Sequence, residues 1–181
     1  MSKKQHNLIW LDLEMTGLDI DHCHIIEIAA IVTDRNLDIL AETESIAIHQ
    51  PIEILESMDS WCKETHFKSG LVDRVKSSDI SVGHAESIIF DFISEYTNPH
   101  SSPLCGNSVW QDRKFLAKYM PKLEAHFHYR LLDVSSFKIA AQLWKPELLN
   151  HFKKHNNHLA LADIKESIEE LKFYRQHMLS I

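Results

Sequence analysis

The sequence predicts an α/β fold, a mixed five-stranded sheet with helices on both faces, and three observations carry that prediction. Apolar runs at 8–15, 25–34 and 38–48 follow one another closely, which suits an antiparallel meander. From residue 103 onward, short apolar runs alternate with helical periodicity, which suits strands added in parallel. A chain of 181 residues with 44% hydrophobic content is long enough for one ordinary core, and no linker or repeat divides it, so 1–181 reads as a single domain.

The first strand is NLIWLDLEM. Residues two apart on a strand share a face, so Ile9, Leu11 and Leu13 make one face apolar. Trp10 occupies the other face, where Asp12 and Glu14 project together. Strands at 25–34 and 38–48 follow, then helices across 52–97. A short strand at 103–106 leads through Gly106 and Asn107 into a helix over 108–119. Ser108 with Gln111 three residues later resembles a capping box, which places Asp112 in the first turns. A strand at 130–133 and a helix from 134 come next. In the last helix, from about 159, Leu161, Ile164, Ile168, Leu171, Tyr174 and Met178 recur at intervals of three and four. His158 and Asp163 lie five positions apart, about 140° of helical rotation, so they converge only if His158 precedes the regular helix on a mobile lip.

The acids carry the chemistry. Two carboxylates about 4 Å apart repel by about 4 kcal/mol at an effective dielectric near 20, so an apolar strand is a poor place for Asp12 and Glu14 unless a cation joins them. A divalent metal is the natural cation. Taken singly, the other residues have plainer readings. Asp112 and Asp163 could be helix-start charges, Trp61 and Tyr129 half-buried aromatics, and His158 simply one of 13 histidines. Solvated acids on an edge strand are the plain reading of Asp12 and Glu14, and the apolar residues around them oppose it. A zinc site at His22, Cys23 and His24 is disfavoured, because adjacent residues lack the separated ligand pairs that zinc uses.

Taken together, the ordered acids and the His-x-Ala-x-x-Asp of His158, Ala160 and Asp163 resemble the DEDDh 3′-to-5′ exonucleases, which have an RNase H-like fold. The similarity narrows to the oligoribonucleases through WLDLEMTGL, HIIEIA, SGLVDRVK, CGNSVWQDRKFLAKYMPKLEAHFHYRLLDVSS and IKESIEEL, and runs from about residue 8 to the C-terminus. The chain departs from the family pattern at Trp110, Leu159 and Ala162, and none of these departures removes a chemical group. The resemblance implies an exonuclease domain that degrades oligoribonucleotides, from dinucleotides to about five-mers, to 5′-mononucleotides. It implies that Asp12, Glu14, Asp112 and Asp163 hold two divalent cations, Mg²⁺ or Mn²⁺, and that His158 is the general base. Substrate bases would rest on Leu18, Trp61 and Tyr129, with Tyr129 coming from the partner subunit of a homodimer. Ser108, Arg130 and Ser135 would contact the terminal phosphate.

Charge limits the partners further. With 19 basic residues against 26 acidic ones the net charge is −7, which argues against gripping long nucleic acid through many phosphates. Short substrates escape that objection. The apolar run at the N-terminus is cut at Asp12, so no signal peptide or membrane span is expected, and three cysteines suit a reducing cytoplasm. Two rival readings stay open. Another DEDDh exonuclease, acting on tRNA 3′ ends or single-stranded DNA, would be expected to show a basic strip. A non-catalytic oligonucleotide-binding module would be expected to lack one of the four acids or His158.

Overall fold

The structure is a computed structural model, and it describes residues 6–151 and 159–179. Strand β1 (Leu8–Met15) is central. Strand β2 (Ile25–Thr33) pairs antiparallel along its length, with Asp12 opposite Ala29 and Glu14 opposite Glu27. Strands β3 (Ile39–Glu42) and β4 (Ile46–Ala47) both pair antiparallel with β2. On the other side of β1, β5 (Leu104–Gly106) and then β6 (Leu131–Asp133) are added in parallel. The sheet is mixed, as expected, but it has six strands rather than five.

The extra strand comes from a break in 38–48. Ile31 pairs with Glu42 and Ile28 with Ile46, so three steps along β2 are matched by four on the facing chain. The surplus residue is accommodated as a bulge. It is anchored by Thr43, whose hydroxyl accepts the Ala30 amide while its own amide donates to the Ala30 carbonyl.

Helices α1 (Ile52–Glu56), α2 (Ser60–Lys68), α3 (Leu71–Ser77) and α4 (Val82–Tyr96) fill the span between β4 and β5. Helices α5 (Trp110–Tyr119) and α6 (Pro121–Glu124) follow β5, α7 (Val134–Trp144) follows β6, and α8 (Ala160–Tyr174) is the last long helix. The alternation in β1 divides the core in two. Ile9, Leu11 and Leu13 pack with Ala85, Ile89 and Ile93 of α4 and with Phe115 and Leu116 of α5. Trp10 packs on the opposite face with Ile164, Ile168, Leu171 and Tyr174 of α8, and its indole N–H donates to Thr33. Each large aliphatic chain buried this way stabilises the fold by about 1.5–3 kcal/mol. Because Asp12 and Glu14 share the Trp10 face, α8 comes to meet them. No described helix is long and apolar enough to cross a membrane.

Candidate active site

Asp12, Glu14 and Asp163 meet at the end of β1. One carboxylate oxygen from each lies within 4.8 Å of the others, the one such group of three potential metal ligands among the described residues. Two come from alternate positions of one strand. The third comes from the first turn of α8, which the buried Ile164 and Ile168 press onto the same face.

Asp112 arrives from the opposite side. Strand β5 pairs with β1 only at Ile9 and Trp10, so the Leu13 amide lies beyond its reach and is taken by the Asp112 carboxylate at 3.0 Å. Asp112 is itself buried in the first turn of α5. Packing at the adjoining Gly106 is tight, since a Cβ there would stand 3.2 Å from both the Leu11 carbonyl oxygen and Val109. Thus β1, α5 and α8 each deliver an acid to one end of the sheet.

Electrostatics show what such a cluster costs. Burial, and then the charges of Asp112, Glu14 and Asp163, hold the Asp12 carboxyl well above the usual carboxylate range. Burial, then Asp163 and Glu27, push Glu14 up to about 8. Burial also raises Asp112, against the Leu13 hydrogen bond that favours its ionised form. Oxygen donors crowded and desolvated in this way fit hard divalent cations, whose charge lets all of them ionise.

The cleft beside the acids has a volume of about 450 Å³ and is lined by Asp12, Glu14 and Asp163 together with Leu18 and Trp61. Both apolar side chains are unusually exposed, Leu18 at 73% and Trp61 at 61%. Each stands on a fixed support. Asp59 caps α2 by accepting the Cys62 amide at 2.8 Å, and the buried Cys62 and His66 anchor that helix beside the same cleft. The loop carrying Leu18 is held by α5, where Gln111 donates to the Leu18 carbonyl at 2.7 Å and Tyr119 to the Cys23 carbonyl at 2.8 Å.

That bond corrects the expected capping box. Gln111 is turned toward Leu18, α5 has no side-chain cap, and Ser108 adopts a left-handed conformation (φ 50°). The Ser108 amide is held by Asp133 at 2.9 Å and by the Ser135 hydroxyl at 3.0 Å, and the two serine hydroxyls lie 3.1 Å apart. Ser135 also donates to Asn107, whose amide group donates in turn to Ser167 and the buried Glu170 of α8. The structure therefore brings Ser108 and Ser135 together. Arg130 instead stacks its guanidinium over Tyr129, 5.1 Å from the ring centroid. Tyr129 is 71% exposed, and neither residue lines the cleft. His158 lies outside the described residues.

The three departures from the family pattern leave the cleft wall intact. Trp110 faces outward with Lys114 over its ring, and Leu159 and Ala162 line a separate groove with Arg74 and Lys165. Two residues escaped the sequence reading. His66 is buried with Nδ1 3.9 Å from a Glu14 oxygen and Nε2 bonded to the Met15 carbonyl. Glu27 is fully buried opposite Glu14, and the signal that could have found it is a lone carboxylate inside the apolar run of β2.

Known proteins resemble this chain in sequence and in fold. The exonuclease family of RNase T type matches residues 9–171. The oligoribonuclease of Francisella tularensis subsp. novicida (strain U112) is 59% identical over 97% of both chains. That of Haemophilus influenzae (strain PittGG) is 54% identical over the full length of both. Among solved structures, E. coli exonuclease I in complex with a dT13 oligonucleotide superposes with a TM-score of 0.72 at 18% identity, over 96% of this chain and 42% of its own. This chain thus spans about two fifths of that larger enzyme, and the likeness concerns the fold.

Proposed function

The chain belongs to the oligoribonuclease family of 3′-to-5′ exonucleases, and we propose that it is a phosphodiester hydrolase for very short oligoribonucleotides, from dinucleotides to about five-mers. The observation that carries this reading is the joining of a carboxylate cluster to a small cleft with apolar walls. Asp12, Glu14, Asp112 and Asp163 would hold two Mg²⁺ or Mn²⁺ ions. Bound there, such ions lower the pKa of water and offset charge on the reacting phosphodiester.

The chain's own residues do the rest. Leu18 and Trp61 offer apolar faces on which bases stack, worth about 1–3 kcal/mol per base. His158 takes the proton from the attacking water, a task for which histidine is the commonest choice. Ser108, Ser135 and Arg130 hold the terminal phosphate, and the mutual contact of Ser108 and Ser135 supports the part assigned to the two serines. A site that ends on one phosphate has no use for a long basic track, in keeping with the net charge of −7.

The working unit is a homodimer in which Tyr129 stacks on substrate held by the other subunit. Support comes from its exposure and its absence from the cleft wall of its own chain. Ile139 and Leu143, four residues apart on α7, add an exposed apolar strip of the kind that interfaces cover. Residues 1–181 act as one exonuclease domain, and the free thiols of Cys23, Cys62 and Cys105 suit the cytoplasm. The test compares kcat/KM on a diribonucleotide and a twenty-mer. A preference of at least tenfold for the dinucleotide is expected, and equal values would refute the length restriction.

A further inference from the structure

We propose that Glu27 is a positioning residue for the metal centre, capping the N-terminus of α8 from across the sheet and so setting where Asp163 stands. The inference rests on the reading of Asp163 as a metal ligand. A helix leaves its first amides without partners inside the helix, and a side-chain oxygen at the N-cap commonly serves them. Here the N-cap residue is Leu159, which has no such oxygen. The next residue, Ala160, is fully buried, so water is a poor substitute.

Glu27 supplies the missing acceptor. One of its carboxylate oxygens accepts the Ala160 amide at 3.0 Å, and the other is held in an ion pair by Arg74 of α3. Glu27 is fully buried in a strand whose nine residues are all buried, so its carboxylate is shut off from water and relies on these two partners. The link continues inside α8. The Asp163 amide donates to the Leu159 carbonyl at 3.0 Å, and Ser167 donates to the Asp163 carbonyl at 2.8 Å. Strand β2 and helix α3 thereby fix the turn that presents Asp163 to Asp12 and Glu14. A charge is well suited to the task, because a carboxylate near a helix N-terminus is also favoured by the helix dipole.

Mn²⁺ affinity of the full-length protein, measured by calorimetry, separates this role from a general contribution to folding. Glu27→Ala should weaken Mn²⁺ binding by about 10- to 100-fold, the usual consequence of losing a group that orients a metal ligand. Its kcat on a diribonucleotide should fall while KM stays within about threefold, because Leu18 and Trp61 are untouched. Glu27→Gln keeps an acceptor oxygen for Ala160 and should bind Mn²⁺ within about threefold of the parent. Adding Leu159→Ser to Glu27→Ala gives α8 a local cap and should recover most of the lost affinity. Parental affinity in Glu27→Ala, or an equal loss in Glu27→Gln, overturns the proposal. If Glu27→Ala does not fold, Glu27→Gln decides alone, and a tenfold loss there rejects capping. Asp163→Asn is the control. Should it bind Mn²⁺ normally, the metal reading itself has failed; if it binds weakly while Glu27→Ala binds well, only the positioning role has.

Discussion

Removing divalent metal should make the protein less stable as pH rises from 5 to 8, opposite to the usual behaviour of paired carboxylates. Glu14 is the clearest source. Its ordinary value is 4.5, and burial with the surrounding acids raises it to about 8 in the fold. Between those values the native state keeps a proton that the unfolded chain releases. The resulting stabilisation is fully present below about 4.5 and is lost as pH passes through about 8. Over three pH units, at about 1.4 kcal/mol per unit, Glu14 alone contributes a fall of about 4 kcal/mol. Asp12 and Asp112 shift in the same direction. In a chain of this size that fall lowers Tm by roughly 8–16 °C. The assay is calorimetric melting at pH 5, 6, 7 and 8, in EDTA and in Mn²⁺. Bound Mn²⁺ should flatten the slope, because the carboxylates then ionise against its charge. Glu14→Gln in EDTA should have a shallower slope, losing the Glu14 share and keeping the share that Asp12 and Asp112 contribute. A chelated parent whose Tm is level from pH 5 to 8, or whose slope equals that of Glu14→Gln, refutes the reasoning.

Three further outcomes are expected. Asp112→Asn keeps an oxygen for the Leu13 amide but weakens a metal ligand, so turnover should drop more than tenfold, as steady-state kinetics would show, with the circular dichroism spectrum unchanged. His158→Ala should lose about 10²- to 10⁴-fold in kcat/KM, and the acid limb of its pH profile should disappear. Mixing Tyr129→Ala and Asp12→Ala subunits, each nearly inactive alone, should restore activity in the mixed dimer, which rebuilds one complete shared site; co-refolded mixtures that form dimers by sedimentation yet stay inactive would reject sharing.

The sequence made the site more legible than its supports. Period-two alternation in β1 placed Asp12 and Glu14 on one face and Ile9, Leu11 and Leu13 on the other, because that rule depends only on the pleat. The spacing of Ile164, Ile168 and Leu171 likewise indicated which face of α8 turns inward. The misreadings came where partners are distant in sequence. Ser108 and Gln111 have the spacing of a capping box, but Asp133 and Ser135 claim the Ser108 amide and the Leu18 carbonyl claims Gln111. The division of 38–48 depends on Thr43 meeting Ala30, a pairing that periodicity does not encode. Glu27 gave no sign of its partners, since Arg74 and Ala160 lie 47 and 133 positions away.

The carboxylate cluster, the cleft and the family together imply metal-dependent removal of single nucleotides from the 3′ end of short RNA. A time course on a 5′-labelled pentaribonucleotide, in Mg²⁺ or Mn²⁺ and in EDTA, tests this most directly. The label should pass through four-, three- and two-nucleotide products before appearing as mononucleotide, and EDTA should stop the reaction. Release of labelled mononucleotide at the first time points, or cleavage that continues undiminished in EDTA, would contradict it.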